Sequence, residues 1–459
     1  MAGISYTLRA MAGSPWLSVT IGSYLFAMFI VAGPWIFSIV GVLALSMIGC
    51  DGVCASVTAF RSIVIYNSIF SLVITGPLGF LAARFISDQV FRVETRGIVY
   101  AAFSSLLIYF LLAFFLGGGF YLLATNFRPE EKLLALQNLM LGGAAWILIP
   151  CLGASGQMGV VCVAFGLGAL VMTIAGSLLA SLDLVWLLCA HNIGLFFINA
   201  VLLRSLYERY GISLTYSPEI MTMALRYWEL PCLGLIYGLG LWIDKLLLWF
   251  SDSSSVISVG GSLRTMPDYD TPMFWAQLGC LPVLAFFFLH LEGDLSRQCK
   301  VLYSRIEGRA TLRELSELMR QLEELIGNGA SKSFIQLSGI AGGMILCSYV
   351  MLDLLGLRAT QMGIFRNAAL GMLFQTATML GTIILLYFDL RRPALLVACC
   401  FLVLNGTLTA VFLPLGFRFF GLGYVVAAVI SWALMVMILK KELRWILFHI
   451  FVTNNSGST

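Results

Sequence analysis

Long apolar stretches alternate with short polar segments from Trp16 to Phe448, and nearly all charges lie in the polar segments. A helix needs about 20 apolar residues to cross a hydrocarbon layer roughly 30 Å thick. Twelve stretches approach or exceed that length: Trp16–Gly49, Ile63–Phe85, Gly97–Leu123, Leu134–Cys151, Gly159–Leu179, Leu182–Leu203, Met221–Phe250, Pro272–Leu291, Phe334–Leu354, Met362–Phe388, Ala394–Leu413 and Gly421–Phe448. Because helices satisfy their own backbone groups in lipid, the pattern predicts twelve transmembrane helices.

The positions of the basic residues indicate an orientation for these helices. With the N-terminus inside, nineteen of the 27 Lys and Arg fall in cytoplasmic segments, seven fall on the opposite side, and Lys245 lies within a span. Short cytoplasmic loops normally carry the excess of cations, so the split favours an N-in, C-in protein. The break from Gly153 to Gln157 is short and only mildly polar. A merged helix there would reverse the topology of everything that follows.

Composition supports an all-α polytopic membrane protein. The chain of 459 residues is 60% hydrophobic and 11% charged, whereas soluble domains are about 25% charged. The net charge of +4 is explained by the inside loops and gives no reason to expect nucleic acid as a partner. The first apolar stretch is longer than the core of a secretory signal and is expected to remain in the mature protein.

A weak internal symmetry suggests two lobes of six helices, residues 1–210 and residues 211–459. The first span contains Pro34 and the seventh contains Pro231, so each half opens with a long, proline-interrupted helix. Kinked helices at matching positions of two repeats are common in the moving parts of transporters. Proline is also frequent in membrane helices generally, but the matched position favours the functional interpretation.

The only long polar interruption is residues 292–333, in the second lobe. Thr311 and Glu314 have the spacing of a capping box, and apolar residues then recur at helical intervals up to Gly327. We expect a cytoplasmic amphipathic helix from Thr311 to Ile326. Its apolar face could rest on the membrane or on the protein's own inner surface, or it could bind a partner.

Four charged residues lie within or beside the apolar spans, where a charge is costly unless it is paired or faces water. Asp244 and Lys245 are adjacent, so their side chains are expected to point about 100° apart on a helix. At least one should then face a cavity or another helix, although Lys245 could also extend to the outer interface. Arg61 and Arg366 lie at a similar depth. We hypothesise that these four residues form a translocation path or an ion pair between the lobes, such as Arg61 with Asp244.

The inner end of the seventh span combines charge with aromatic rings in Arg226, Tyr227, Trp228 and Glu229. Sugars stack on aromatic faces and bind charged groups, so this cluster could form a cytoplasmic mouth. It could equally be an interface anchor of the kind that aromatic belts supply.

Most candidate motifs for catalysis or metal binding are incomplete or lie on the wrong side of the membrane. The run from Gly327 to Ser333 lacks the glycine that a phosphate loop requires before its lysine. Asp268 and Asp270 have the acidic spacing of many glycosyltransferases, but the topology places them outside. Three scattered histidines offer no metal site. Cys50 and Cys54 could form a disulfide in an oxidising compartment, although spacing alone does not establish one. We expect no enzyme activity, no cofactor and no metal.

Several runs resemble the PelG-type transporters of the Pel exopolysaccharide system, within the multidrug, oligosaccharidyl-lipid and polysaccharide exporter superfamily. They are Met1-Ala2-Gly3-Ile4, Leu8-Arg9, Gly33-Pro34-Trp35, the run from Tyr237 to Lys245, and Tyr269-Asp270-Thr271-Pro272-Met273-Phe274. The resemblance covers essentially the whole chain. It implies two six-helix lobes around a lumen in the bacterial inner membrane. It also implies complexes with a cytoplasmic glycosyltransferase (PelF-like) and membrane regulatory subunits (PelD-like and PelE-like).

The expected function is therefore export of a nascent, amino-sugar-rich polysaccharide from the cytoplasm to the periplasm. Three alternatives remain open from the sequence. A flippase for lipid-linked oligosaccharides and a cation-coupled drug antiporter would share the fold. A membrane-embedded glycosyltransferase would instead use Asp268 and Asp270 in catalysis.

Overall fold

The computed structural model describes residues 17–48, 55–91, 97–154, 156–179, 183–211 and 219–455. The regular structure in these residues is helical except for one antiparallel hairpin, β1 (Ile257–Val259) with β2 (Leu263–Thr265). The helices are α1 (Leu17–Ile48), α2 (Ala55–Phe91), α3 (Ile98–Ala124), α4 (Pro129–Ala154), α5 (Met158–Leu179), α6 (Leu184–Tyr210), α7 (Glu219–Arg226), α8 (Glu229–Trp249), α9 (Pro267–Gln277), α10 (Leu281–Phe286), α11 (Gly293–Glu307), α12 (Leu312–Leu346), α13 (Ser348–Leu355), α14 (Met362–Tyr387), α15 (Arg391–Phe412) and α16 (Leu422–Asn455).

The all-α, multi-pass class predicted from the sequence is confirmed. Within the described residues, nine helices are long and apolar enough to cross a membrane, namely α2 to α6, α8 and α14 to α16. The pair α12 and α13 would add a tenth span if the two helices count as one, because they are bent by 73° at their junction. Single-turn 3₁₀ and π segments connect α9, α10 and α11 into one helical run over residues 267–307.

The short break after the fourth span does separate two helices. Gly156 has a φ of +79°, a left-handed conformation that terminates α4. Its N–H donates to the Gly153 carbonyl at 3.0 Å, and the Gln157 N–H donates to the Leu152 carbonyl at 2.9 Å. The merged-helix alternative is therefore wrong, because the glycine turn closes the last carbonyls of α4 before α5 begins.

The polar interruption at residues 292–333 is almost entirely helical. Thr311 caps α12 as predicted, and Glu314 completes the capping box. The predicted end at Gly327 is wrong, since α12 continues to Leu346. A Cβ on Gly329 would lie 2.6 Å from Leu291 Cδ1, so glycine here permits close packing that outweighs its poor helix propensity.

The apolar face of the predicted amphipathic helix is covered by the protein itself. Leu315, Met319, Leu322 and Ile326 are all buried on α12. Alpha11 packs against α12 and buries Leu295, Cys299 and Leu302. Of the three environments considered for this face, the structure selects the protein's own surface, and α11 and α12 form a helical hairpin with a charged exterior.

Two compact units divide the described chain: one covers residues 29–267, and the other covers residues 17–28 together with residues 268–455. Within the first unit, α8 packs on α2 with their backbones in contact. A Cβ on Gly76 would lie 2.6 Å from the Gly234 carbonyl oxygen, a closeness that only glycine permits.

An ion-pair cluster fastens the α3–α4 connection to the start of α6. Arg128 donates to Glu131 Oε1 at 2.9 Å and to Asp183 Oδ2 at 2.8 Å. Asp183 also caps α6 by accepting from the Leu184 N–H at 2.8 Å. The hydrogen bonds from Arg128 lower the pKa of Asp183 below its ordinary value of 3.8.

We expect Asp183→Asn to lower the melting temperature slightly at neutral pH. Asparagine keeps the helix cap, so the change isolates the charge. Because the folded-state pKa is depressed, the stabilisation is complete above the unfolded pKa and is lost as the pH falls through the folded value. The difference between wild type and variant should therefore shrink as the pH falls below 3.8. Asp252→Asn, which removes an exposed carboxylate of the same unit, is the matched control and should leave the melting temperature at neutral pH unchanged.

Candidate functional site

The centre of the candidate site is an ion pair buried in α8. Asp244 is 0% exposed and Lys245 is 6% exposed. Lys245 Nζ lies 3.2 Å from Asp244 Oδ2 and also donates to the Leu241 carbonyl at 3.3 Å. Adjacent helical residues normally diverge by about 100°, but the long lysine side chain folds back toward the preceding turn. The lysine therefore pairs inside the protein and does not extend to the interface.

A series of aromatic rings in contact with one another begins beside this ion pair. Lys245 Nζ lies 5.5 Å from the centroid of the Trp242 ring, a cation–π contact. Trp242 in turn lies 6.4 Å from Trp249, which is fully buried and stacks on Tyr66 of α2 at 5.2 Å. Tyr66 stacks further on Phe120 of α3 at 6.0 Å. We call Tyr66, Phe120, Trp242 and Trp249 the aromatic cluster.

The β-hairpin is anchored to the aromatic cluster. The Tyr66 hydroxyl donates to the Arg264 carbonyl and accepts from the Arg264 N–H, both at 2.9 Å. The Arg264 guanidinium lies over the Phe250 ring at 5.7 Å. The hairpin thus fixes the end of α8 that carries Asp244 and Lys245 against α2. Sequence patterning missed this hairpin because each strand has only three residues.

Arg61 and Arg366 each bond to a serine of the preceding helix. Arg61 Nε donates to Ser46 Oγ at 3.0 Å in the first unit. Arg366 Nε donates to Ser348 Oγ at 2.9 Å in the second. The structure therefore brings Asp244 and Lys245 together, but it does not bring Arg61 to Asp244.

Pro34 and Pro231, which were expected to interrupt long helices, both lie in helices, but only Pro34 lies in a helix interior. Pro34 is inside α1, whereas Pro231 lies in the first turn of α8. The span predicted from Met221 is broken at Tyr227 and Trp228. A proline ring clashes with the carbonyl four residues earlier, here that of Tyr227, so the helix restarts just before Pro231. Pro231 therefore breaks the helix at Tyr227 and Trp228 and does not kink α8 at its own position.

The proposed mouth residues occupy this break. Arg226 is exposed, with its guanidinium 5.5 Å from the centroid of the Tyr227 ring. Trp228 is 49% exposed and Glu229 is buried. Asp244 lies fifteen residues beyond Glu229, or about 22 Å by helical rise. The mouth and the buried ion pair are thus at opposite ends of α8.

A buried polar network in the first unit was missed by the sequence analysis. The Tyr121 hydroxyl donates to Asn67 Oδ1 at 2.7 Å, and Asn67 Nδ2 donates to Asn138 Oδ1 at 3.0 Å. Asn138 Nδ2 then donates to His191 Nδ1 at 2.6 Å and to Asn192 Oδ1 at 2.7 Å. All five residues are buried. The direction of these bonds makes Nδ1 of His191 an acceptor, so its ring proton lies on Nε2.

The structure gives no support to the enzymatic alternative. Asp268 accepts from Gln361 Nε2 at 3.0 Å and pairs with Arg358 at 3.5 Å. Gly327 to Ser333 lie inside α12 and form no loop. Across the described ranges, no group of His, Cys, Asp and Glu is arranged to hold a metal ion. Cys50 and Cys54 lie outside the described residues.

Comparisons with known proteins show the family from the sequence and the fold from solved structures. The family model for PelG, an exopolysaccharide exporter (EPS-E), matches residues 1–451. An outward-facing multidrug resistance MATE family transporter of the MOP superfamily aligns with a TM-score of 0.66 at 13% identity, covering 96% of this chain and 98% of its own. A MOP superfamily transporter from Pyrococcus furiosus aligns with a TM-score of 0.64 at 12% identity, covering 97% of both chains. No curated protein matches the chain.

Proposed function

The chain belongs to the PelG family of exopolysaccharide exporters and is not an enzyme, and from that premise we propose that it moves an amino-sugar-rich, Pel-like polymer from the cytoplasm to the periplasm. The observation that carries the proposal is the family match over residues 1–451. The structural contribution is the ion pair beside the aromatic cluster. Sugar rings pack on aromatic faces, and a carboxylate binds hydroxyl and ammonium groups. We infer that Asp244, Lys245 and the aromatic cluster, which are largely buried in this conformation, come into contact with the polymer when the translocation path opens.

The direction of transport and the identity of the cargo can be tested by locating the polymer in a strain that lacks this chain but keeps the glycosyltransferase that makes the polymer (the synthase). Loss of this chain should abolish secreted amino-sugar polymer and leave polymer or its precursor inside the cell, and restoring the chain should reverse both effects. Accumulation of lipid-linked oligosaccharide would instead identify a flippase. Unchanged secretion would reject the export function.

We further propose twelve spans with both termini in the cytoplasm of an inner-membrane protein. Alpha1, the helical run over residues 267–307 and the bent pair α12 and α13 would add three spans to the nine found by length and composition. The exposed cations of the α11–α12 hairpin support its placement in the cytoplasm.

Reporter fusions test this topology directly. Alkaline phosphatase fused after Ser254, between α8 and the β-hairpin, should be active because that segment is expected outside. A fusion after Gly308, at the tip of the α11–α12 hairpin, should be inactive, while a fluorescent protein there should fold and fluoresce. An active phosphatase at Gly308 would reverse the proposed orientation.

The family also suggests where partners and cargo engage the cytoplasmic side. We propose that Arg226, Tyr227, Trp228 and Glu229 form the mouth through which the polymer enters. A PelF-like glycosyltransferase, with PelD-like and PelE-like subunits, would bind the charged exterior of the α11–α12 hairpin, since its apolar face is already covered. Photo-cross-linking from the exposed residue Glu317 to the synthase tests that surface; Glu208 on α6 is a matched exposed control.

A further inference from the structure

A cleft at the tip of the α11–α12 hairpin carries concentrated positive charge. Its volume is about 790 Å³, within the roughly 300–1,000 Å³ typical of small-molecule sites. The charged and hydroxyl-bearing residues that line it are Lys300, Ser304, Arg305, Arg309, Thr311 and Glu314. Three cations therefore face one carboxylate in a concave site.

These three cations differ from their neighbours on the same hairpin. In the described part of the chain, Lys300, Arg305 and Arg309 make no ion pair. By contrast, Arg297 pairs with Asp294 at 3.3 Å and Arg320 pairs with Glu317 at 2.7 Å. Like charges gathered in one cleft repel each other, so a bound anion would relieve a repulsion that the protein leaves unbalanced.

The start of α12 adds to this positive potential. Alpha12 has 35 residues and begins at the cleft, and the N-terminus of a helix carries roughly half a positive charge. The three cations and the Glu314 carboxylate together give the cleft a net charge of about +2. A phosphate ester, which carries about −2 at pH 7, would neutralise it. The volume exceeds that of inorganic phosphate and leaves room for the organic part of a ligand.

We propose that this cleft binds a soluble organic phosphate, whose terminal phosphate or diphosphate is held by Lys300, Arg305 and Arg309. A soluble ligand is favoured over a lipid headgroup by position. Alpha11 has 15 residues, so by helical rise it carries the tip about 22 Å from the end of the apolar run at residue 292. The site is separate from Asp244 and the aromatic cluster, and its failure would leave the transport proposal standing.

Titration of the purified full chain with pyrophosphate tests the proposal. In nanodiscs of neutral lipid at low salt, calorimetry should show saturable binding of one pyrophosphate per chain. Arg305→Ala and Arg309→Ala should each weaken it about tenfold, because each removes a charge-assisted bond to phosphate. Arg313→Ala is the matched control: it removes an exposed cation of the same hairpin outside the cleft and should change affinity less than about twofold. Equal losses in all three variants, or no binding, would overturn the proposal.

A variant that is expected to strengthen pyrophosphate binding makes the test stricter. Glu314→Gln keeps the capping box, which accepts either residue at this position, but removes the only carboxylate lining the cleft within the described residues. Pyrophosphate should bind several-fold more tightly to this variant; weaker or unchanged binding would contradict the proposed site. Binding detected only in nanodiscs that contain anionic lipid would assign the cleft to a headgroup and overturn a soluble ligand.

Discussion

Asp244→Asn is expected to destabilise the protein by about 3–5 kcal/mol, because it leaves the Lys245 ammonium buried without its carboxylate. The ammonium would keep only the Leu241 carbonyl and the Trp242 ring among its described contacts. Polymer secretion should fall to background. Thermal unfolding of purified protein and the amount of secreted polymer, normalised to protein level, are the two measurements.

The double variant Asp244→Asn, Lys245→Met separates a structural role from a functional one. With both charges removed, no unpaired charge is buried, and stability should return to within about 1–2 kcal/mol of wild type. If the pair contacts the polymer, secretion stays at background although the protein is folded. Restored secretion together with restored stability would show that the pair is structural only, and the proposed contact with cargo would be lost.

Arg61→Ala provides a comparison within the same unit. Arg61 is exposed, and its guanidinium is bonded to Ser46. Removal of this single hydrogen bond should cost about 1 kcal/mol and leave most secretion intact. A loss of secretion as complete as that in Asp244→Asn, at normal protein level, would instead place Arg61 in the translocation path.

Gly234→Ala is expected to be the second most damaging change, although alanine normally favours helices. The added Cβ would overlap the Gly76 carbonyl and lie 2.8 Å from the Pro77 nitrogen. These are backbone atoms, so α2 and α8 would have to separate. Overpacking of this kind costs about 1–3 kcal/mol or more, and separation would also disturb the stacking of Tyr66 on Trp249. The melting temperature and secretion should both fall.

Gly142→Ala is the matched control for that prediction. Gly142 is also helical and in the same unit, but nothing lies within 4 Å of a Cβ placed there. Alanine should therefore be neutral or stabilising by up to about 1 kcal/mol. If Gly234→Ala were as well tolerated as Gly142→Ala, the close approach of α2 and α8 would not hold in the folded protein.

Local sequence signals located element starts better than element ends. The capping box at Thr311 was visible because its two residues interact within one turn. The end of α12 was not visible, because Gly327 and Gly329 signal a break in the sequence, whereas in the structure the helix continues through both and Gly329 packs closely against Leu291. Pro231 was noticed, but its effect, four residues earlier, depends on a carbonyl clash that periodicity does not record.

In the candidate site, too, some residues could be identified from the sequence and others only from the structure. Asp244 and Lys245 were found because charges in apolar spans are rare and costly. The network around Asn138 was missed because an uncharged asparagine in a span carries little cost in sequence terms. Its significance arises only when Asn67, Tyr121 and His191, from three other helices, meet it.

By itself, the sequence determined that this chain is a helical, multi-pass membrane protein, because hydropathy and charge act locally along the chain. The exporter family followed from the resemblance of its short motifs. Tertiary structure alone decided that Lys245 folds back on Asp244, that Gly76 and Gly234 join α2 to α8, and that the amphipathic face of α12 is covered by α11. These outcomes depend on distances between residues that are far apart in the chain or on side-chain conformations. Residue spacing constrains neither.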